Sequence, residues 1–213
     1  MTNLHRRPGG MRRVLARCLP VLALAALLLP GSAAAAGGAA ALERLRASLA
    51  ATEDFTAEIV QEKHLSILKK KLVSHGTVKF RKPDLFLMEL APPEASRLLL
   101  RDSLLEIRMP DGARQQIPLP GDQGLRKWVS LLARPVTSLP EGVEASSETG
   151  AGGETVTIRP GKGQVASIAV TLAADGKIRS LQIAEKNGNR TLVTFRKMRT
   201  NVGLSEKEFR IEP

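Results

Sequence analysis

Tyrosine is absent from this chain, tryptophan occurs once and phenylalanine five times. So little aromatic surface offers few platforms on which bases stack, and no dense basic run accompanies it, so no nucleic-acid partner is expected. Cysteine is as scarce. The only one, Cys18, lies near the N-terminus, leaving the rest of the chain no disulfide to form and making its stability depend on the packed core. Past the N-terminal stretch the histidines are His64 and His75. With neither cysteine nor an acidic pair beside them they do not complete a metal shell, and we expect no metal and no other cofactor. No serine sits in a nucleophile elbow, and the acidic residues are scattered on polar faces. No catalytic residue is nominated, and the chain is expected not to be an enzyme. The glycine-rich stretches Gly150-Ala151-Gly152-Gly153 and Gly161-Lys162-Gly163 are followed by neither a helix nor a Lys-Thr pair, so they read as hairpin turns rather than phosphate loops.

A membrane-spanning run is also missing. The longest apolar stretch, Cys18 to Leu29, ends at Pro30, about 12 residues against the roughly 20 that a spanning helix needs. It is preceded by Arg6, Arg7, Arg12, Arg13 and Arg17 and followed by a small-residue tail ending in an Ala-x-Ala pattern at Ala36. Residues 1–36 therefore read as a cleaved secretory signal, and residues 37–213 as one exported domain. Five of the 32 basic residues and none of the 21 acidic ones leave with it, so the net charge falls from +11 to about +6. That excess suits a rim facing anionic head groups or acidic partner loops.

What the domain does contain is alternation. Leu72, Ser74, Gly76, Val78 and Phe80 fall on one face of a period-two ladder, with Lys71, Val73, His75, Thr77, Lys79 and Arg81 on the other. Phe55, Ala57, Ile59 and Gln61 alternate in the same way with Thr56, Glu58, Val60 and Glu62. Further strands are expected from Pro83 to Pro92-Pro93, around Leu98-Leu99-Leu100 and Leu104 to Arg108, and then over 143–147, 154–159, 165–172, 177–185 and 190–199, with a short last one at 208–211. Ile117 to Gly121 reads as a Pro- and Gly-rich passage. Two helices interrupt the strands: residues 39–51, with Leu42, Leu45 and Leu49 on one side, and a helix capped by Asp122 and carrying Leu125, Trp128, Val129 and Leu132 at i, i+3, i+4 and i+7. The fold class is mainly β with helices, a single antiparallel sheet curling towards a barrel, its concave face covered by the N-terminal and the inserted helix.

The inward positions are Ile59, Leu72, Val78, Leu85, Leu90, Leu98, Leu100, Leu105, Ile107, Ile168, Val170, Leu181, Ile183 and Val193, aliphatic rather than aromatic. Periodicity leaves two readings open, a core filled by its own side chains and a sheet that encloses a lipid.

Several motifs resemble the LolA family of periplasmic lipoprotein carriers. They are Phe55-Thr56-Ala57-Glu58-Ile59-Val60-Gln61-Glu62-Lys63, then Gly76 opening a strand into Arg81-Lys82-Pro83-Asp84-Leu85-Phe86, then Asp175-Gly176-Lys177-Ile178, Asn187-Gly188-Asn189-Arg190-Thr191, Phe195, Asn201 and Phe209 through Pro213. Their order and spacing run along nearly all of the exported sequence. The resemblance implies an incompletely closed β-barrel whose cavity takes the acyl chains of lipoproteins released by an inner-membrane complex and hands them to an outer-membrane receptor, with the protein a periplasmic monomer. It adds Phe86 and Met88 to the cavity and makes Leu42, Leu45, Leu49, Leu125, Trp128, Val129 and Leu132 a lid. It also implies a latch, where the family's arginine before the proline bonds helix-loop carbonyls. Lys82 holds that position with Arg81 beside it, and lysine lacks the planar fork of arginine, so either the latch is looser or Arg81 takes the role. A paralogue carrying another lipid or a glycolipid, or a lipid-sensing regulatory domain, is compatible with the same motifs.

Overall fold

The computed structural model describes residues 36–92, 95–120, 124–139 and 141–210; the expected signal over residues 1–36, up to its last residue, and the expected cap Asp122 lie outside them. Eleven strands form one antiparallel sheet: β1 (Asp54–Leu65), β2 (Lys70–Arg81), β3 (Leu85–Leu90), β4 (Ser96–Arg101), β5 (Leu104–Arg108), β6 (Arg114–Pro118), β7 (Val143–Gly150), β8 (Gly153–Pro160), β9 (Val165–Leu172), β10 (Ile178–Glu185) and β11 (Arg190–Thr200). Helix α1 (Ala36–Ala50) precedes them and α2 (Leu125–Leu132) joins β6 to β7.

The spatial order is β6-β5-β4-β3-β2-β1-β11-β10-β9-β8-β7. Two meanders are thus sewn together by the pairing of β1 with β11, while β6 and β7 remain as free edges. The sheet is an open barrel. Its longest strands, β1 and β2, pair in unbroken register from Asp54 opposite Arg81 to Leu65 opposite Lys70. The alternation read from the sequence decides which side chains turn inward: Phe55, Ala57, Ile59 and Gln61 of β1 are buried while Glu58 is exposed.

Two expectations are corrected. The passage 117–121 was expected to be irregular, yet Ile117 and Pro118 end β6, with Ile117 opposite Leu105. Pro118 is tolerated because it is the last residue of an edge strand, where no ladder donor is missed. The strand expected at 208–211 is instead a 3-10 helix, Glu206–Phe209. Its signal was in the sequence as Ser205-x-x-Glu208: the Glu208 carboxylate accepts from the Ser205 amide and hydroxyl, a capping-box spacing that favours a helical turn over a strand.

That turn seats Phe209, fully buried, on the convex side of β3 against Leu85, Leu87 and Leu99. The chain leading to it is fixed by Asp54, only 6% exposed. Its carboxylate accepts three consecutive backbone amides, Val202 at 2.7 Å, Gly203 at 2.9 Å and Leu204 at 3.1 Å. Replacing it orphans buried donors, so Asp54→Ala is expected to lower unfolding stability by about 2–3 kcal/mol, read as a shift in the urea midpoint; an unchanged midpoint contradicts this role.

Candidate functional site: an apolar cavity under the N-terminal helix

Since the sheet does not close, its concave face has to be covered by something else. Helix α1 does so with Leu42 and Leu45, each 2% exposed, and Leu49. The leucines fall three or four residues apart, hence on one side of the helix. Helix α2 joins it with Leu125, Val129 and Leu132. Between helices and sheet lies a cavity of about 380 Å³, within the roughly 300–1,000 Å³ range of ligand pockets.

Of the positions read as cavity from the sequence, Ile59, Val78, Phe86, Met88, Val170, Leu181 and Val193 line it, and so do Leu42, Leu45, Leu49, Leu125, Val129 and Leu132 from the helices. Trp128 is carried on α2, and its side chain lies outside the described ones. Leu98, Leu100, Leu105, Ile107, Ile168 and Ile183 are buried in the same apolar cluster away from the hollow, with Leu90 half-buried against them. Leu72 is half-buried near the far end of β2. Leu85 is a correction: it faces the convex side beneath Phe209, because β3 is buried on both faces and its alternation sends Leu85 and Leu87 one way and Phe86 and Met88 the other.

The lining is more aromatic than expected. Four of the five phenylalanines, Phe55, Phe80, Phe86 and Phe195, reach the cavity, and the rings of Phe55 and Phe80 are 5.5 Å apart. Phe55 and Phe80 sat on the inward faces in the sequence pattern and would have been found by following it. Met198 had no such signal. Simple alternation after Val193 and Phe195 would point Lys197 inward, but the pairing slips between Thr56 and Glu58 of β1, whose partners are Arg199 and Arg196. This bulge, with Lys197 at φ 49°, turns Met198 and Thr200 to the cavity and leaves Lys197 bonded to Glu58 on the other side.

Polar bonds at the margin hold the cover down. Lys82 sends Nζ to the carbonyl of Ala50, the last residue of α1, at 2.7 Å, and to the Glu53 carboxylate at 3.2 Å. A cation at a helix C-terminus also meets the negative end of its dipole. Arg81 points elsewhere, 3.9 Å from Glu206, so of the two bases Lys82 is the one that touches the helix. Asn201 completes the clasp, donating to Ala51 O at 3.1 Å and accepting from the Glu53 amide at 2.7 Å. Further along α1, the Ser48 hydroxyl donates to Gly176 O, and Arg44 Nε bonds Glu154 of β8 at 2.9 Å.

The two helices are joined to each other. Arg46 donates to the Leu132 carbonyl at the end of α2 and holds Glu43 through two bonds of 2.7 and 2.8 Å. The Glu43 carboxylate in turn accepts the Val136 amide at 2.7 Å. The Arg46 bonds, followed by the Val136 amide, keep its pKa below the usual glutamate value. At its other end α2 is capped from a distant strand turn: Asp102 Oδ1 accepts the Arg126 amide at 3.1 Å and Asp102 O the Leu125 amide at 3.1 Å. A Cβ on Gly124 would come 2.8 Å from that Oδ1, so a larger residue before α2 would have to push the capping carboxylate aside.

His64 and His75 are exposed on strands, and among the described residues no three His, Cys, Asp or Glu side chains converge as a metal group. Gln61 is 1% exposed and its amide nitrogen and oxygen have no partner among the described residues.

A half-open antiparallel barrel with a helix-covered apolar cavity is the class of protein that fold and site define. The chain belongs to the LolA family: the model described as outer membrane lipoprotein carrier protein LolA matches residues 50–212. Among solved structures it is similar to a DUF1329 family protein from Desulfovibrio piger (13% identity, 81% of this chain and 96% of that one, TM-score 0.47). It is similar too to a putative outer membrane lipoprotein-sorting protein domain from Vibrio parahaemolyticus (12%, 81% and 96%, TM-score 0.46). A third is a LolA superfamily protein from Nitrosomonas europaea (11%, 83% and 99%, TM-score 0.44). These likenesses carry no argument about cargo. No curated protein matches the sequence.

Two tests of this geometry follow. Lys82→Met removes the bonds to Ala50 and Glu53, and trypsin cleavage after Arg44 and Arg46 is expected to quicken about fivefold, as suits the loss of roughly one kcal/mol; an unchanged rate detaches Lys82 from the helix. The Glu43 clasp works the other way with pH. Its folded pKa is depressed, so its contribution is complete above the unfolded value of about 4.3 and is lost as pH falls from there through the lower folded value. Fluorescence of the single Trp128 should change in the native chain once pH falls below the ordinary glutamate range, and Glu43→Gln should show the changed signal already at neutral pH.

Proposed function

We propose that this chain is a periplasmic carrier without enzymatic activity, which takes the acyl chains of lipoproteins from an inner-membrane releasing complex, shields them in its cavity and delivers them to an outer-membrane receptor. The observation that carries this reading is an apolar hollow whose cover is a separate helix, packed on the sheet through leucines and fastened by a few polar bonds at its margin. Membership of a family described by lipoprotein carriage supports it.

The energetics suit reversible loading. Each methylene buried in a dry slot contributes about 0.8 kcal/mol. Against this, Leu42, Leu45 and Leu49 already occupy the concave face, and displacing them re-exposes apolar area of the same kind. The cover thus competes with cargo, and affinity is reduced by what it costs to open. Release then needs only a receptor surface that tips a small difference.

Native mass spectrometry of the protein recovered from the cell envelope tests the reading. Acylated lipoprotein on a fraction of the chains is the expected result; a co-purified glycolipid would assign a different cargo to the same cavity, and a protein free of lipid under every condition removes the proposal. Filling the cavity gives an independent measure. Leu49→Trp is expected to weaken binding of a fatty-acid probe at least about tenfold by occupying the slot, with the native fold kept by circular dichroism.

A further inference from the structure

We propose that the tip of the β1–β2 hairpin is a membrane-docking element that seats on anionic lipid bilayers. Among the described residues the two most exposed large apolar side chains are Ile67, at 85%, and Leu68, at 60%. They are neighbours in the turn between β1 and β2, at the end of the sheet away from the cavity. Lys69, Lys70 and Lys71 follow at once, all exposed.

The tip is held in place. Asn189 Oδ1 accepts the Ser66 amide at 3.1 Å, which ties it to the β10–β11 turn, where Lys186 and Arg190 are exposed. Nearby acidic groups offset only part of the charge: Glu62 is paired with Lys71 at 2.5 Å, and Glu185, which accepts from the Asn187 side-chain amide at 2.9 Å, stands against Lys69, Lys70, Lys186 and Arg190. Two adjacent aliphatics ringed by cations match the boundary of an anionic bilayer, where apolar side chains enter the acyl region and ammonium groups stay among the phosphates. The apolar area of two side chains falls far short of the roughly 800 Å² per partner of a stable protein interface, which favours the bilayer. From Asp54 beside the cavity to Leu65 beside the tip, β1 runs roughly 36 Å at about 3.3 Å per residue. A membrane at the tip therefore leaves the cavity end standing in water, open to a partner.

The test is co-sedimentation of the chain, in the form in which it accumulates in the cell, with vesicles of phosphatidylethanolamine and phosphatidylglycerol and with vesicles of phosphatidylcholine alone. The anionic vesicles should bind it, less so in high salt, and the neutral ones should not. Ile67→Ser with Leu68→Ser should reduce partition at least about tenfold, and Lys69→Glu with Lys70→Glu should remove the preference for anionic lipid. Both variants should keep the native circular dichroism and the fatty-acid uptake of the native chain, whatever that uptake is, so that failure of the carrier reading and failure of this one are separable. Absence of binding to anionic vesicles overturns the proposal and leaves the tip to a protein partner; binding by the double serine variant equal to the native chain also overturns it.

Discussion

A helix laid across an unclosed sheet has to be held by something, and here it is a short set of polar bonds along its length, with the Lys82 ammonium at its C-terminal end. Lys82 reaches the last carbonyl of α1 and the carboxylate just beyond it, and Asn201 takes the next carbonyl and amide. The leucines beneath supply the driving force for covering the cavity, but that force has no direction. The polar contacts give the helix its position. Because they sit at the margin, where water can replace them, each contributes modestly. A cover fastened in this way can open without unfolding the sheet.

The frame around the clasp is far stiffer. Asp54 starts β1, lies beside the clasp residues Glu53 and Asn201, and binds three amides of the segment that carries the chain to Phe209. With Phe209 on the convex face and Phe86 and Met88 on the concave one, β3 is buried on both sides. The bulge in β11 performs a different service, keeping Lys197 out of the hollow and placing Met198 in it. Strands near the cavity are thus fixed largely by bonds of their own, apart from those that fasten α1.

Much of this was legible in the sequence because a period of two survives tertiary structure: wherever one face is buried, alternation names it. The strands expected at 165–172 and 177–185, the second of which begins at Ile178, and the inward faces of β1 and β2 follow from that alone. Alternation was silent where two faces are buried, which is why Leu85 was assigned to the wrong side, and it failed where a bulge shifts the parity, as at Met198. Nor does periodicity separate a filled interior from a hollow one. Leu98, Ile107 and Ile168 look like Val78 and Val193 in sequence, yet the first three meet one another's neighbours and the last two meet space. That distinction depends on how far the sheet curls and where α1 comes to rest, which are properties of the whole assembly. The cap of α2 by Asp102 is of the same kind, a contact between residues 23 or more apart in the chain that no local pattern announces.

The central claim is that α1 is displaced by what the cavity binds. Hydrogen–deuterium exchange of the empty and the acyl-loaded protein tests it directly. Exchange should rise through Ala36–Ala50 on loading while β1, β2 and β11 keep their protection. Saturable binding of cargo with α1 as protected as before would contradict the account, since the hollow would then be filled without the helix giving way.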